Sequence, residues 1–306
     1  MGGEGCLSIY LLPEARAKEL GLEEALLHKI IKGHDTFRWR IQWEEKVILY
    51  PYHQDKNDRW VPAFSVNKPP GDALDFETLA DKVEQDYARK YGRNFFAYQR
   101  FLEHRRDALG IVKYPTAADY LLKFYDQLSS RTFKKKNVRD FNREWYEFIW
   151  PRDAGIIFGK PKIVSPRLTP RVRFALDQEG IGIQDSCLCL AVSENTQDAF
   201  NDFRKKLGSL LGHDVKTPTV YRYMLAFLNS SYAQELLTTG HRPRPGDVFQ
   251  ISDEFINELS IPLCRTKREL QTLLDGVEAC MIAGTEDALN EAESRLNGLV
   301  QGLYSI

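Results

Sequence analysis

The spacing of apolar positions changes period several times along the 306 residues. Residues 6–12 form an apolar run that predicts a strand. Residues 14–32 carry Leu20, Leu22, Leu26, Leu27, Ile30 and Ile31 at mixed spacing and predict a helix. From Thr36 the period becomes two, with Phe37, Trp39, Ile41 and Trp43 on one face and Arg38, Arg40 and Gln42 on the other. This alternation predicts a half-buried strand, followed across Glu44-Glu45 by a second strand at 47–50 that Pro51 ends.

The breaker cluster Val66-Asn67-Lys68-Pro69-Pro70-Gly71-Asp72 predicts an internal boundary. Helical composition follows over 76–109 and again over 116–128, where Thr116-Ala117-Ala118-Asp119 resembles a capping signature. Strands are expected at 156–158, 162–164, 171–176 and 181–192, the last two joined by the hairpin-length loop Asp177-Gln178-Glu179-Gly180. In the third of these, Val172, Phe174 and Leu176 share one face, so Arg171 and Arg173 project from the other. Helices are expected at 196–211 and 217–228, with Pro218 suited to a first helical position. Residues 267–303 read as two acidic helices joined near Gly284-Thr285, an antiparallel pair. The fold class is therefore α+β: mixed, mostly antiparallel β structure with a helical insertion at about 72–130 and a C-terminal helical hairpin at 263–306.

Composition narrows the class without choosing a function. Hydrophobic residues at 43% and charged residues at 28% match an ordinary globular protein. No apolar stretch reaches the roughly 18 residues of a membrane span, and the N-terminus lacks the pattern of a secretion signal. The five cysteines are odd in number and none pair at two-residue spacing, which points to reduced thiols, no metal on them and a cytoplasmic setting. The net charge of -1 conceals an asymmetry. Residues 131–173 hold 12 basic and 4 acidic residues, a balance of +8, which leaves -9 for the rest of the chain. Such a segment suggests a polyanion footprint.

Phosphate-loop, dinucleotide and paired-histidine metal motifs are absent. Asp35, Glu44 and Lys46 have the acid, acid-x-lysine layout by which nucleases hold magnesium, a pattern of poor specificity.

Several blocks together resemble a known family. They are 32–43 running into 47–52, Trp145-Tyr146-Glu147, Lys160-Pro161-Lys162-Ile163-Val164-Ser165-Pro166-Arg167, Phe174-Ala175-Leu176-Asp177, and 223–230. In that order they resemble the TaqI-like C-terminal specificity domain of adenine-specific DNA methyltransferases and fused type II restriction-modification enzymes, and cover most of residues 1–262. The resemblance implies a target-recognition domain over 1–262 whose partners are double-stranded DNA and a methyltransferase catalytic domain, fused upstream or separate. The family's S-adenosylmethionine motif and its Asn-Pro-Pro-Tyr-type loop have no match here. Asn67-Lys68-Pro69-Pro70-Gly71 lacks both the amide placement and the stacking aromatic of flipped-base chemistry. The expectation is a recognition half without catalytic residues, metal or cofactor of its own, the S-adenosylmethionine belonging to the catalytic domain.

On this reading Lys134, Lys135, Lys136, Lys160 and Lys162 neutralise phosphates, Arg167, Arg171 and Arg173 reach bases or phosphates, and Lys32, His34, Arg38 and Arg40 form a second rank. About six phosphate contacts set a slope near -5 for log affinity against log salt. The rival reading is a protein-interaction module in which the acidic tail helices dock a partner.

Overall fold

The computed structural model describes residues 4–64, 102, 103, 106, 113–149, 152–192 and 196–305. The expected boundary at 66–72 and the helix at 76–109 lie almost wholly outside these residues. The chain divides into two compact units: Met1–Lys29 with Glu45–Arg152, and Ile30–Glu44 with Asp153–Ile306. The architecture is α+β, with mostly antiparallel strand pairs.

In the first unit the opening apolar run is a helix, α1 (Glu4–Tyr10), rather than a strand. Its buried residues Cys6, Ile9 and Tyr10 recur at i, i+3 and i+4, a helical face that a short window cannot tell from a strand. A short strand, β1 (Leu11–Pro13), leads into α2 (Glu14–Glu19). The helix predicted over 14–32 ends there, because Gly21 takes φ +66° while Gly21 and Leu22 donate back to the carbonyls of Lys18 and Ala17. The remaining leucines and isoleucines pass instead through a tight turn into β2 (Leu27–Ile31).

The expected strand near 47–50 is β3 (Lys46–Leu49). It lies between β1 and β2, antiparallel to both, with Leu11 opposite Ile48 and Leu27 opposite Leu49. Beyond it β4 (Tyr52–Gln54) pairs with β5 (Trp60–Pro62). Helices α3 (Pro115–Leu122) and α4 (Tyr125–Ser129) occupy the second expected helical stretch. The cap of α3 is not local: the Glu23 carboxylate accepts from the backbone N–H groups of Thr116 (2.8 Å) and Ala117 (2.9 Å). A two-residue hairpin joins β6 (Thr132–Phe133) to β7 (Lys136–Asn137), with Lys134 and Lys135 at φ +49° and +66° in the turn.

In the second unit residues 154–157 form α5 (Ala154–Ile157), capped by Asp153, where a strand was expected at 156–158. Strand β8 (Lys162–Pro166) is central, flanked antiparallel by β10 (Ala175–Asp177) and β12 (Cys187–Leu190). Between β8 and β10 runs β9 (Leu168–Thr169). The strand expected over 171–176 is thus confined to its end, although Val172, Phe174 and Leu176 are buried as the alternation predicts. Residues 177–180 do not make the expected hairpin. The Asp177 carboxylate accepts from the backbone N–H groups of Glu179, Gly180 and Ile181, and the chain turns away into β11 (Gly182–Ile183), which pairs parallel with Ile30 and Ile31 at the end of β2.

Helices α6 (Gln197–Leu211), α7 (Thr217–Leu228) and α8 (Ser231–Gly240) follow, then β13 (Phe249–Gln250), α9 (Asp253–Glu258), α10 (Lys267–Ile282) and α11 (Glu286–Tyr304). The last two match the expected helical pair. Their buried Leu270, Leu273, Val277, Leu296 and Val300 belong to one apolar core with Ile163, Phe174 and the α7 residues Tyr223, Leu225 and Phe227. Residue 262 therefore falls inside a compact unit, and the terminal helices share the core of the β8 sheet.

Candidate nucleic-acid interface

At the end of β8 the chain is tied on two sides. Arg167 N–H donates to Ser186 O (2.8 Å), beside β12, and Arg167 O accepts from Ile251 N–H (2.9 Å), beside β13. Strand β9 continues the second tie by pairing antiparallel with β13, Leu168 opposite Gln250 and Thr169 opposite Phe249. Three chain segments far apart in sequence therefore meet around Arg167. A fourth arrives through Gly33, whose N–H donates to Ser186 Oγ at 2.9 Å. A Cβ on Gly33 would lie 2.8 Å from Ser186 O and 3.2 Å from Pro166 Cβ, so the close approach requires glycine.

These segments line an open cleft of about 750 Å³. Lys32, Arg167, Arg173 and Arg244 give it four cationic side chains; His34, Gln184, Ser186 and Gln250 add polar groups, Leu168 an exposed apolar one and Asp185 the sole carboxylate among its described lining residues. None of the four cations forms an ion pair among the described residues. Two are oriented by hydrogen bonds at the inner end of the guanidinium. Arg167 Nε donates to Cys187 O (3.1 Å) and Arg173 Nε to Thr169 Oγ1 (3.0 Å), while Thr169 Oγ1 itself donates to Arg171 O (2.6 Å). Arg244 Nη2 donates to the Gln250 amide oxygen. Burial, and then the neighbouring Arg171 charge, pull the Arg173 guanidinium below its ordinary range. The charged form is disfavoured by its own surroundings and gains from an anion docked against it.

The expected contact residues divide sharply. Arg167, Arg173, Lys32 and His34 converge on this cleft. Arg171 is exposed and does not line it, nor do the exposed Lys160 and Arg40; Arg40 lies over the Phe37 ring at 5.7 Å. Lys134, Lys135 and Lys136 are exposed on the β6–β7 hairpin of the first unit, so the basic segment 131–173 is split between units at residue 152.

Two expected contacts are corrected. Lys162 is fully buried, its ammonium 2.5 Å from Asp177 Oδ2 and 2.9 Å from Gly159 O, so no phosphate reaches it. Arg38 is largely buried, pairing with Glu293 at 2.9 Å and donating to Asn229 O at 2.5 Å; it braces the fold. The strand expected at 36–43 is likewise a compact loop: Trp39 takes φ +73° and donates its N–H to Phe174 O, and Thr36 bridges to Ile41. Of the acid-acid-lysine pattern, Asp35 and Glu44 lie near each other with His34, whereas Lys46 opens β3 in the first unit.

Arg244 and Gln250 were missed. Their sequence signal was modest: a basic, proline-broken stretch, His241-Arg242-Pro243-Arg244-Pro245-Gly246-Asp247, that folds into a turn closed by Arg244 N–H to Val248 O at 2.7 Å. No helix among the described residues is long and apolar enough to cross a membrane.

No protein-family model matches the chain. Among solved structures, the chain is similar to part of the Type IIL restriction-modification enzyme MmeI, determined in complex with DNA. The TM-score is 0.49 and the identity 7%, over 97% of this chain and 31% of that one. The chain thus spans about a third of the length of that protein.

Proposed function

We propose that this chain is a sequence-specific DNA-recognition domain serving an adenine-specific DNA methyltransferase of a restriction-modification system. The observation that carries DNA binding is the cleft where Lys32, Arg167, Arg173 and Arg244 converge without an ion-pair partner among the described residues. Four cations against one lining carboxylate around an open cleft match the footprint of a phosphate backbone. Among the remaining lining residues, Leu168, 49% exposed, presents an apolar group of the kind that meets a thymine methyl, and Gln250 holds the Arg244 guanidinium through its amide oxygen. Methyl transfer from S-adenosylmethionine, and the choice of adenine as its acceptor, rest on the sequence resemblance alone and are assigned to a catalytic domain outside these residues.

Fluorescence anisotropy with a labelled duplex tests the reading. Arg167→Glu with Arg173→Glu is expected to abolish duplex binding at about 100 mM salt, where phosphate contacts dominate affinity, while the circular dichroism spectrum stays unchanged. Unchanged DNA affinity in that folded variant would sink the proposal and favour a protein-docking role.

A further inference from the structure

The loop that delivers Gly33 to the cleft also builds a second arrangement. Gly33–Asp35 is one tight turn, and Asp35 is 2% exposed. Its Oδ2 accepts from the Lys32 N–H at 2.7 Å. Its Oδ1 is equally buried but accepts no hydrogen bond. That oxygen lies 2.9 Å from His34 Nε2, close enough for an ion pair yet out of line for a hydrogen bond. Glu44 is brought back to the same place because Gln42 N–H donates to Asp35 O (2.8 Å) and Phe37 N–H to Arg40 O (3.0 Å), which folds the intervening loop onto itself. Glu44 Oε1 then stands 3.6 Å from the same imidazole nitrogen. One ligand atom from each residue falls within 4.8 Å of the others.

Two atoms that flank one ion need not point at each other, whereas a donor and its acceptor must. With bonds of about 2.0–2.2 Å, adjacent ligands of a divalent ion are about 2.8–3.1 Å apart in an octahedron and about 3.3–3.6 Å in a tetrahedron. The 2.9 Å separation of His34 and Asp35 is that of adjacent octahedral ligands; Glu44, exposed and 3.6 Å from the imidazole, has to move in slightly to complete the same shell. A buried carboxylate oxygen with no hydrogen bond is costly unless something cationic meets it. We propose that His34, Asp35 and Glu44 bind one divalent transition-metal cation at the rim of the cleft.

One imidazole nitrogen with two carboxylate oxygens favours zinc or manganese over calcium or magnesium, which prefer all-oxygen sites. Three protein ligands leave at least one coordination position for water or another oxygen ligand, and His34 places the site beside Lys32 and Gly33 in the cleft lining. The third member is an imidazole rather than a lysine, so the triad is a binding site in its own right and carries no claim of cleavage. It also stands independently of the DNA reading.

Manganese is the discriminating probe, because the five free thiols compete poorly for it. Titration of chelator-treated protein with MnCl2, following loss of the free-ion paramagnetic resonance signal, should reveal one site per chain. ZnCl2 should compete for it. His34→Ala removes an exposed ring and Glu44→Gln neutralises an exposed carboxylate, so the fold is expected to persist; each should weaken binding at least tenfold, as should Asp35→Asn, whose amide oxygen can still accept from Lys32. Absence of manganese binding up to millimolar concentration, or equal binding by folded His34→Ala and Glu44→Gln variants, would overturn the site. Duplex affinity of the same variants measured in chelator reports separately on the cleft.

Discussion

The Lys162 ammonium and the Asp177 carboxylate are both removed from solvent, and each is completed by backbone groups: Gly159 O on one side, three N–H groups on the other. Removing one partner leaves an uncompensated charge in the core, which costs about 3–5 kcal/mol. Asp177→Ala is therefore expected to lower the unfolding free energy by that amount in urea titrations, and Lys162→Met with Asp177→Asn, whose amide oxygen still accepts from the backbone N–H groups, to lose less. His28 responds to pH for a related reason. Burial against Tyr50 and Trp60 pushes its imidazole down to about 4. The folded state keeps this ring neutral while the unfolded chain protonates near 6.5. Its contribution is therefore fully present above that value and is lost as pH falls from about 6.5 toward 4. Allowing for partial exposure, the loss is about 2–3 kcal/mol. His28→Phe should flatten the urea midpoint across that range; an unchanged pH profile in the variant would remove His28 as its source.

At the scale of elements, legibility followed how local the determining interactions are. Helix α7 begins at Thr217 with Pro218 in its first turn, and α10 and α11 carry continuous apolar stripes with Thr266 and Thr285 side chains capping them, so all three were readable from neighbouring residues. Residues 36–43 were not. Their strict alternation mimics a strand, but Trp39 is held in a left-handed conformation by Phe174 and its indole N–H donates to Glu293 Oε1 at 2.5 Å, a partner 254 positions away. Local spacing carries no trace of such a tie. Glu293 holds both this indole and the Arg38 guanidinium, whose charge burial disfavours and Glu293 offsets. Glu293→Ala should consequently destabilise the second unit by about 2–4 kcal/mol. Glu293→Gln, which still accepts from the indole, should lose less. Equal stability of both variants and the parent in thermal melts would show that α11 does not anchor the loop. The Lys134-Lys135 turn has the opposite origin: two non-glycine residues at positive φ in a two-residue hairpin. Lys134→Asn with Lys135→Gly, the pair such turns prefer, is expected to raise stability by about 1 kcal/mol.

Across the whole molecule, linear charge predicted the presence of a basic surface better than its membership. The +8 segment contributes Arg167 and Arg173 to the cleft, loses Lys162 to a buried pair and Arg131 to the carbonyls of Leu128, Trp145 and Glu147, and leaves three lysines in the other unit. The cleft is completed by Lys32 and Arg244, which lie far outside that segment and arrive through strand pairing. Each phosphate contact contributes about -0.9 to the slope of log affinity against log salt, so four cations give about -3.6 where six contacts would give about -5. Arg244→Gln is expected to weaken duplex binding and make the slope shallower by about 1, although nothing near residue 244 stands out in a charge count. Arg40→Gln removes an equally exposed arginine that does not line the cleft, and should leave both affinity and slope unchanged. Anisotropy titrations of the two variants from about 50 to 200 mM salt separate a footprint assembled by the fold from one set by net charge: if Arg40→Gln and Arg244→Gln behave alike, the cleft is not where the phosphates bind.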